Sequence, residues 1–413
     1  MKIFIIGSGG REHAIGWKIK NDNPEVKLFF SMGNAGTSEI GENIGISDLK
    51  ELLDFALNTE IDLTIVGPEM ELVDGIVDLF QENGLKIFGP DKKSAELEGS
   101  KVFAKEFMQK YDVKTPHYKT FKYFVDARDY LDSLEEFPVV IKASGLAAGK
   151  GVVIVKDKFE AQQVIREMMN EKTFGDAGSE VVIEQFVEGF ECSILSIFNG
   201  KEIIPFISAM DHKKIGEGET GLNTGGMGVI APNPLFTEAH FQKFKNQILL
   251  PTQNGLLKEN LTFAGIIFFG LIINETGVYL LEYNTRFGDP ETEAILPLME
   301  SNLLTLIEKS LKSESFEIQW KKQHACCVVM ASGGYPLNYE KGFEIRGVDK
   351  VEIPVFFAGA KRKDDMIVTS GGRVLNVVGL GNTLNEARKS AYDNIAKIHF
   401  DFEYYRKDIG EIH

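Results

Sequence analysis

The chain has 413 residues and a formal charge of -16, from 45 basic against 61 acidic side chains. That length suits about two to four domains sharing buried cores, and the charge excludes partners that need a positive surface, nucleic acid and anionic membrane alike. No apolar run is long enough to span a bilayer, and the three cysteines, Cys192, Cys326 and Cys327, lie in apolar runs with neither disulfide nor zinc spacing, which places the protein in a reducing compartment, the cytosol.

The apolar start, Lys2 to Ile6, is too short for a signal peptide and reads as a first strand. Val26 to Ser31, Leu63 to Val66 and Lys86 to Phe88 are further strands, alternating with helical patterns. This rhythm predicts a doubly wound parallel sheet, and ligands of such sheets bind at the strands' carboxyl ends. Those ends carry Gly7-Ser8-Gly9-Gly10, Gly33-Asn34-Ala35-Gly36-Thr37, Gly67-Pro68-Glu69 and Gly89-Pro90.

The first loop continues into Arg11-Glu12-His13 and fails as a dinucleotide fingerprint. Its third glycine would fall at Glu12, and the second strand lacks the acid that meets a ribose, so a nicotinamide cofactor is disfavoured. What remains is either a one-phosphate site at a helix N-terminus beside Arg11 or a merely tight turn.

From about Ser100 the style changes. A helix over Lys101 to Gln109 leads into strands joined by glycine loops and hairpins, an α+β section with antiparallel strands. Pro138 to Lys142 and Gly151 to Val155 flank a loop with glycines at 145, 149 and 151 and a lysine at 150. It fails the P-loop spacing and runs strand-loop-strand. Such a hairpin can fold over a triphosphate, and Lys142, in an otherwise apolar strand, is costly unless an anion pairs with it. The bland alternative is an edge lysine beside a mobile surface hairpin.

Val181 to Glu184 and Cys192 to Phe198 are strands whose connection, Gln185-Phe186-Val187-Glu188-Gly189, can offer backbone groups to an adenine edge. Glu191 is either a ribose ligand or a solvated carboxylate. Asp211-His212-Lys213-Lys214 and Thr224-Gly225-Gly226-Met227-Gly228 can seat a small zwitterion, with Asp211 near its ammonium. His212 reads as solvated and Met227 as packing. Leu261 to Ile273 and Val278 to Asn284 form a hairpin around Asn274-Glu275-Thr276-Gly277. Glu282 and Asn284, two apart on a strand, share a face and offer two oxygens to an octahedral cation, unless they are only its wet side. Arg286, just beyond, can steady a developing oxyanion. An apolar helical stretch covers Ala294 to Leu311, and strands from Ala325 with a closing helix over Leu384 to Ile398 make a small β-rich tail.

In order, these stretches resemble the ATP-grasp superfamily and, within it, the phosphoribosylamine-glycine ligase family, over essentially the whole chain. Ile6-Gly7-Ser8-Gly9-Gly10-Arg11-Glu12-His13-Ala14, Gly145 to Gly151, Asn223 to Gly228, Arg286 to Thr292 and Arg406-Lys407-Asp408-Ile409-Gly410 carry the likeness. Ser144 and Leu222 depart from it, standing where the family often has an acid and a proline.

The resemblance implies a substrate domain over 1–103, an ATP-grasp domain over 104–315 with a small lobe at about 121–188, and a C-terminal domain over 325–413. It implies ATP at Lys105, Lys142, Gly145, Gly149, Lys150, Gly151, Glu184, Phe186, Val187 and Glu191, and Mg²⁺, with Mn²⁺ possible, on Glu282 and Asn284. Glycine and 5-phosphoribosylamine would meet Gly9, Gly10, Arg11, Glu12, Asn34, Gly36, Thr37, Pro68, Glu69, Lys213, Thr224, Gly225, Gly226 and Asp289, with Arg286, Lys142 and Asp211 as catalytic groups. It implies a cytoplasmic monomer making at most transient contact with the enzyme that supplies phosphoribosylamine, and a chain carrying no further enzyme. Another ATP-grasp carboxylate-amine ligase and a non-catalytic nucleotide-binding regulator are the alternatives.

Overall fold

The computed structural model describes residues 1–147 and 151–412. The N-terminal unit is a five-stranded parallel sheet of β1 (Lys2–Ile6), β2 (Lys27–Phe30), β3 (Glu42–Asn43), β4 (Leu63–Val66) and β5 (Ile87–Phe88), in the order β3-β2-β1-β4-β5. Successive β1 side chains face opposite ways. Ile3 and Ile5 pack with Ala14, Ile15 and Ile19 of the helix Gly10–Asp22, whereas Phe4 and Ile6 pack with Leu52, Ala56, Val77 and Phe80 on the other face. Both faces are covered, which is why β1 is apolar throughout. The chain reverses direction across the sheet between β1 and β4, bringing the loops after Ile6 and Val66 side by side.

The second sheet is antiparallel, ordered β6-β9-β7-β8 from β6 (Tyr118–Phe121), β7 (Val139–Ala143), β8 (Val152–Val155) and β9 (Val181–Gln185). The helices Phe124–Ser133 and Lys158–Ile165 cover it through Ala127, Leu131, Ala161 and Ile165.

The chain then runs through β10 (Phe190–Asn199), β11 (Ile203–Asp211), the hairpin β12 (Lys214–Gly216) and β13 (Thr220–Asn223), and β14 (Gly228–Ala231). It continues with β15 (Ala264–Asn274), β16 (Gly277–Asn284), β17 (His324–Ser332) and β18 (Val355–Phe357). The hairpin β19 (Ala360–Lys363) and β20 (Met366–Thr369), then β21 (Arg373–Gly381) and β22 (Glu403–Tyr404), complete the strands. One path, β16-β15-β10-β11-β14-β17-β21-β18, joins most of them, with β22 on β17. The β-rich tail is therefore more than packed against the middle section: β17 hydrogen-bonds to β14 from Val328 to Ala325, extending its sheet.

The stretch Ala294 to Leu311 is not one helix. A helix over Glu291–Ile295 tightens into a 3₁₀ turn at Leu296–Leu298, and a new helix starts at Leu303. Pro297 lacks the N–H that a continuous helix needs. Asn302 caps the second helix by accepting from the Thr305 N–H at 3.0 Å. Among the described residues, no helix is long and apolar enough to cross a membrane.

Candidate active site

A cleft of about 380 Å³ opens between the small antiparallel sheet and the long one, and the carboxyl end of the parallel sheet reaches it through Glu69. At one end lies a buried charge cluster. Lys142, from the middle of β7, puts Nζ 2.6 Å from Oε2 of Glu184 on β9 and 3.2 Å from the Leu281 carbonyl. Lys105, on the helix Lys101–Lys110, contacts the other oxygen of Glu184 and donates to Thr115 Oγ1 at 2.5 Å.

Burial pushes the Lys105 ammonium down to about 8, with Glu184 partly opposing it. Burial also works to raise the Glu184 carboxyl, but Lys142 and Lys105 outweigh it and hold it low. Two lysines on one carboxylate leave positive charge facing the cleft, and Lys101, also depressed by burial, adds to it. Desolvated cations in surplus are stable only when an anion completes them. Glu184 is thus a side-chain participant at the end of a strand, and the connection that can face an adenine edge begins at Phe186; Phe186 and Val187 line the cleft.

Gly151 also lines the cleft. Gly145 is spent on packing: its N–H donates to the Ala177 carbonyl at 3.0 Å, and a Cβ there would lie 2.7 Å from Ala177. Gly149 and Lys150 lie outside the described residues. Ser144 accepts from the Val102 N–H at 3.3 Å, tying the hairpin base to the helix that carries Lys105. Glu191 is neither free nor solvated alone, since its carboxylate pairs with Lys213 at 2.8 Å.

Glu282 and Asn284 line the far wall from β16. Burial works against the Glu282 carboxylate, but Lys213, Lys142, Lys101 and Arg286 together hold its ionisation below the usual range. No described residue forms a hydrogen bond or ion pair with it, and no group of three or more metal-binding side chains occurs among the described residues. An ionised carboxylate without a protein partner, beside an amide oxygen, fits a hard divalent cation that takes its remaining ligands from phosphate and water.

Arg286 follows directly. Its Nη2 lies 3.0 Å from Glu98 and 3.4 Å from Asn284 Oδ1, and its Nε lies 3.4 Å from Glu69. Glu98 in turn accepts from the Thr285 N–H at 2.7 Å.

Asp211 ends β11, in the same sheet as Glu282 and Asn284, and lines the cleft with Lys213, Thr224, Gly225 and Asp289. Burial first, and then the neighbouring Glu291, push its carboxyl well above the usual range. Arg373 enters from β21, pairing with Asp289 Oδ1 at 2.9 Å, donating to the Asp289 carbonyl at 3.0 Å and contacting the Gly225 carbonyl. Gly226, at φ +110, sits against Asp211 and Pro290. Met227 is fully buried packing.

His212 is not solvated: it is 4% exposed, with Nδ1 3.2 Å from the Gly228 carbonyl and Nε2 accepting from the Gly410 N–H. The C-terminal segment covers it.

The N-terminal loops contribute differently from the cleft walls. Glu12 accepts from the Gly9 N–H at 2.5 Å and pairs with Arg11 at the same distance, so the first loop's donor is satisfied from within. Arg11 also donates to the Phe287 carbonyl at 3.1 Å. Gly10 packs on Asn376 and Glu293. Asn34 donates to the Ser8 and Phe357 carbonyls and accepts from the N–H groups of Gly36 and Thr37, while the Thr37 hydroxyl donates locally and Gly36 packs against the His13 ring. None of these residues lines the cleft. Pro68 opens the short helix whose first residue, Glu69, does.

Sequence reading missed Glu98, Lys101, Glu291 and Arg373. A signal existed for Glu98, an acid on the buried stripe formed with Ser94 and Ala95; none existed for Arg373, whose partners are 84 and 148 residues away.

The family models for phosphoribosylglycinamide synthetase match the chain as its N domain over residues 1–98, its ATP-grasp (A) domain over 99–292 and its C domain over 325–412. The phosphoribosylamine-glycine ligase of Fusobacterium nucleatum is 54% identical, over 100% of this chain and 99% of its own. That of Clostridium acetobutylicum is 51% identical, with both chains fully covered. The crystal structure of the Thermotoga maritima phosphoribosylamine-glycine ligase superposes with a TM-score of 0.88 at 34% identity, covering 99% of this chain and 100% of that one. A Campylobacter jejuni biotin carboxylase shares the fold at a TM-score of 0.74, with 13% identity over 97% and 92% of the two chains.

Proposed function

Since the chain belongs to the phosphoribosylglycinamide synthetase family over its length, we infer that it is an ATP-dependent ligase joining glycine to 5-phosphoribosylamine in purine synthesis. The observation that carries this reading is the buried charge cluster of the cleft, in which Lys105 and Lys142 converge on Glu184 while the neighbouring Glu282 stays ionised with no ion-pair partner among the described residues.

ATP lies between the two antiparallel sheets. Lys105, Lys142 and Lys101 meet its phosphates, and Phe186 and Val187 flank its base. Glu282 and Asn284 would hold a divalent cation, Mg²⁺ or Mn²⁺, which would supply charge neutralisation on the phosphates. The glycine carboxylate attacks the γ-phosphorus, giving glycyl phosphate and ADP. The amine of phosphoribosylamine then attacks the acyl carbon, phosphate leaves with the bond electrons, and the proton that the nitrogen loses goes to the departing phosphate or solvent.

The protein's own contribution is positioning and charge. Lys142 and Arg286 face the negative charge that builds on the transferring group, and closure of the small lobe keeps water from the acyl phosphate. The glycine and phosphoribosylamine sites are built around Asp211, Lys213, Thr224, Gly225, Asp289 and Glu69, with the loops at Gly9 to Glu12 and Asn34 to Thr37 framing them. The division 1–103, 104–315 and 325–413 is proposed with these roles, as are a cytosolic location, supported by three buried free thiols, and a monomer that contacts the enzyme supplying phosphoribosylamine only transiently.

The test is ADP release with Mg-ATP, glycine and phosphoribosylamine generated in place from ribose 5-phosphate and ammonia, each omitted in turn. Release that needs both co-substrates, with glycinamide ribonucleotide detected by mass spectrometry, is expected. Release with a different acid or amine would move the substrate, and bound ATP without release would refute the ligase.

A further inference from the structure

A strap over residues 404–410 influences the cleft without lining it. It leaves β22, which pairs with β17, and is anchored on the helix Leu384–Ile395. The Tyr392 hydroxyl donates to the Arg406 carbonyl at 2.8 Å and accepts from the Ile409 N–H at 3.1 Å, and Arg388 Nε donates to the Ile409 carbonyl at 2.8 Å.

From this footing the strap grips the hairpin β12–β13. Arg406 is 1% exposed. Its Nε and Nη2 fork onto the two oxygens of Asp408 at 2.8 and 2.7 Å, while Nη1 donates to the Lys214 carbonyl at 3.0 Å and pairs with Glu219 at 2.8 Å. Asp408 also accepts from the Gly218 N–H at 2.8 Å, and the Tyr404 hydroxyl donates to the Ile215 carbonyl at 2.6 Å. A buried guanidinium is tolerated only with such a set of partners, so Arg406 fixes strap and hairpin as one unit.

The hairpin needs that hold. Among the described residues β12 and β13 pair only with each other, and Thr220–Asn223 is exposed throughout. A lone two-stranded hairpin is marginal in water. Yet its base carries Lys213, Asn223 and Thr224 into the cleft, with the N–H and hydroxyl of Thr224 both donating to the Lys213 carbonyl at 2.8 Å. The strap also reaches the residue before Lys213, since the Gly410 N–H donates to His212 Nε2 at 3.2 Å.

We propose that Arg406 and Asp408 are positioning residues, which act through the hairpin β12–β13 to hold Lys213 and Thr224 in place over the cleft. This deepens the ligase reading and rests on it. The C-terminal region then serves the reaction without touching a substrate: its helix anchors the strap, the strap clamps the hairpin, and the hairpin aims the side chains at its base.

The experiment compares R406K and D408N with the wild type. R406K keeps the charge and loses the fork, and D408N keeps the shape and loses the charge. Deuterium uptake is followed in the peptide spanning 212–224 of the unliganded protein, and ADP release is measured with each substrate varied in turn. Both variants are expected to exchange about 10-fold faster in that peptide and to raise the KM of glycine or phosphoribosylamine by about 10-fold, the scale of a lost charge-assisted hydrogen bond. The KM for ATP, set at Lys105 and Lys142, is expected to stay within about twofold, which also reports an intact fold. Y404F, which removes one hydroxyl and leaves the buried ion pair, is expected to show both effects at about 3-fold. Faster exchange with unchanged co-substrate constants would overturn the proposal and leave the strap a purely structural tie. A lower kcat with every KM unchanged, or an ATP KM raised as much as the others, would overturn it as well. Wild-type ADP release independent of glycine would sink the ligase reading itself, whereas the exchange measurement, which uses no substrate, judges the strap's hold on the hairpin separately.

Discussion

Oε1 of Glu98, a residue of the helix that follows the parallel sheet, lies 3.0 Å from Nη2 of Arg286, two residues beyond Asn284. The other Glu98 oxygen holds the Thr285 N–H, so one buried carboxylate fixes both the backbone and the guanidinium at the end of β16. Glu98→Ala frees both. Since a misplacement of about 1 Å can cost about 10²-fold in rate, this substitution is expected to lower kcat by about 10- to 100-fold while the KM for ATP, set by Lys105 and Lys142, stays within twofold. Steady-state ADP release decides it, and a raised ATP KM with normal kcat would show that Glu98 serves the nucleotide instead.

Burial lowers the Lys105 ammonium from 10.5 to about 8 in the free protein. As pH rises from 8 to 10.5, the folded chain gives up this proton while the unfolded chain keeps it. The folded state therefore gains from this group over that window, and the burial penalty is fully present below about 8. ATP affinity moves the opposite way, because a neutral amine no longer neutralises phosphate. Fluorescent-nucleotide titrations are expected to weaken above pH 8 in the wild type and to stay flat in Lys105→Arg. A wild-type curve flat to pH 10 would exclude the assignment.

What the sequence made legible is what depends on nearby residues. Alternating apolar runs specified β1, β2, β4 and β5, and the i, i+2 spacing on a strand brought Glu282 and Asn284 together. Lys142 stood out because a charge in an apolar strand demands a partner. The residues themselves show its partner, Glu184, only as the end of an apolar strand, since only the sheet order places β9 beside β7. Contacts across long stretches of chain stayed hidden. Thr285 finds Glu98 187 residues away, and Gly410 covers His212 across 198. In the N-terminal loops glycines and asparagines serve binding and tight packing equally well, so the sequence alone does not say which of their groups are tied up: Glu12 takes the Gly9 N–H, and Asn34 bridges its own loop to Ser8.

His13 links the first helix to the C-terminal region, its Nδ1 accepting from the Phe357 N–H at 2.9 Å while its ring meets Phe356 edge-on. Burial lowers it from 6.5 to about 3, so it is neutral when folded. The unfolded chain takes up a proton between those values and the folded chain does not. The stability that His13 contributes is thus complete above 6.5 and is lost as pH falls toward 3. His13→Ala is expected to cost about 1–3 kcal/mol at pH 7, from the orphaned N–H, yet to fall less steeply on acidification. Urea midpoints at pH 7 and pH 5 test it, and equal pH slopes in the two proteins would contradict the neutral-histidine account.

Glu282 and Arg286 line the same cleft, one near the end of β16 and the other just beyond it, but fail differently when changed. Glu282→Gln keeps the shape and removes the charge. It is expected to weaken Mn²⁺ binding in the presence of ADP, read by water proton relaxation, and to lower kcat by about 10²-fold or more, the scale of a lost oxyanion-stabilising group. Arg286→Ala is expected to lower kcat by about as much while leaving Mn²⁺ affinity nearly intact, because the guanidinium pairs mainly with Glu98 and Glu69 and meets Asn284 only at 3.4 Å. The contrast separates the roles. If both variants lost metal, Arg286 would act by aiming Asn284, and if neither lost turnover, the chemistry would lie elsewhere in the cleft.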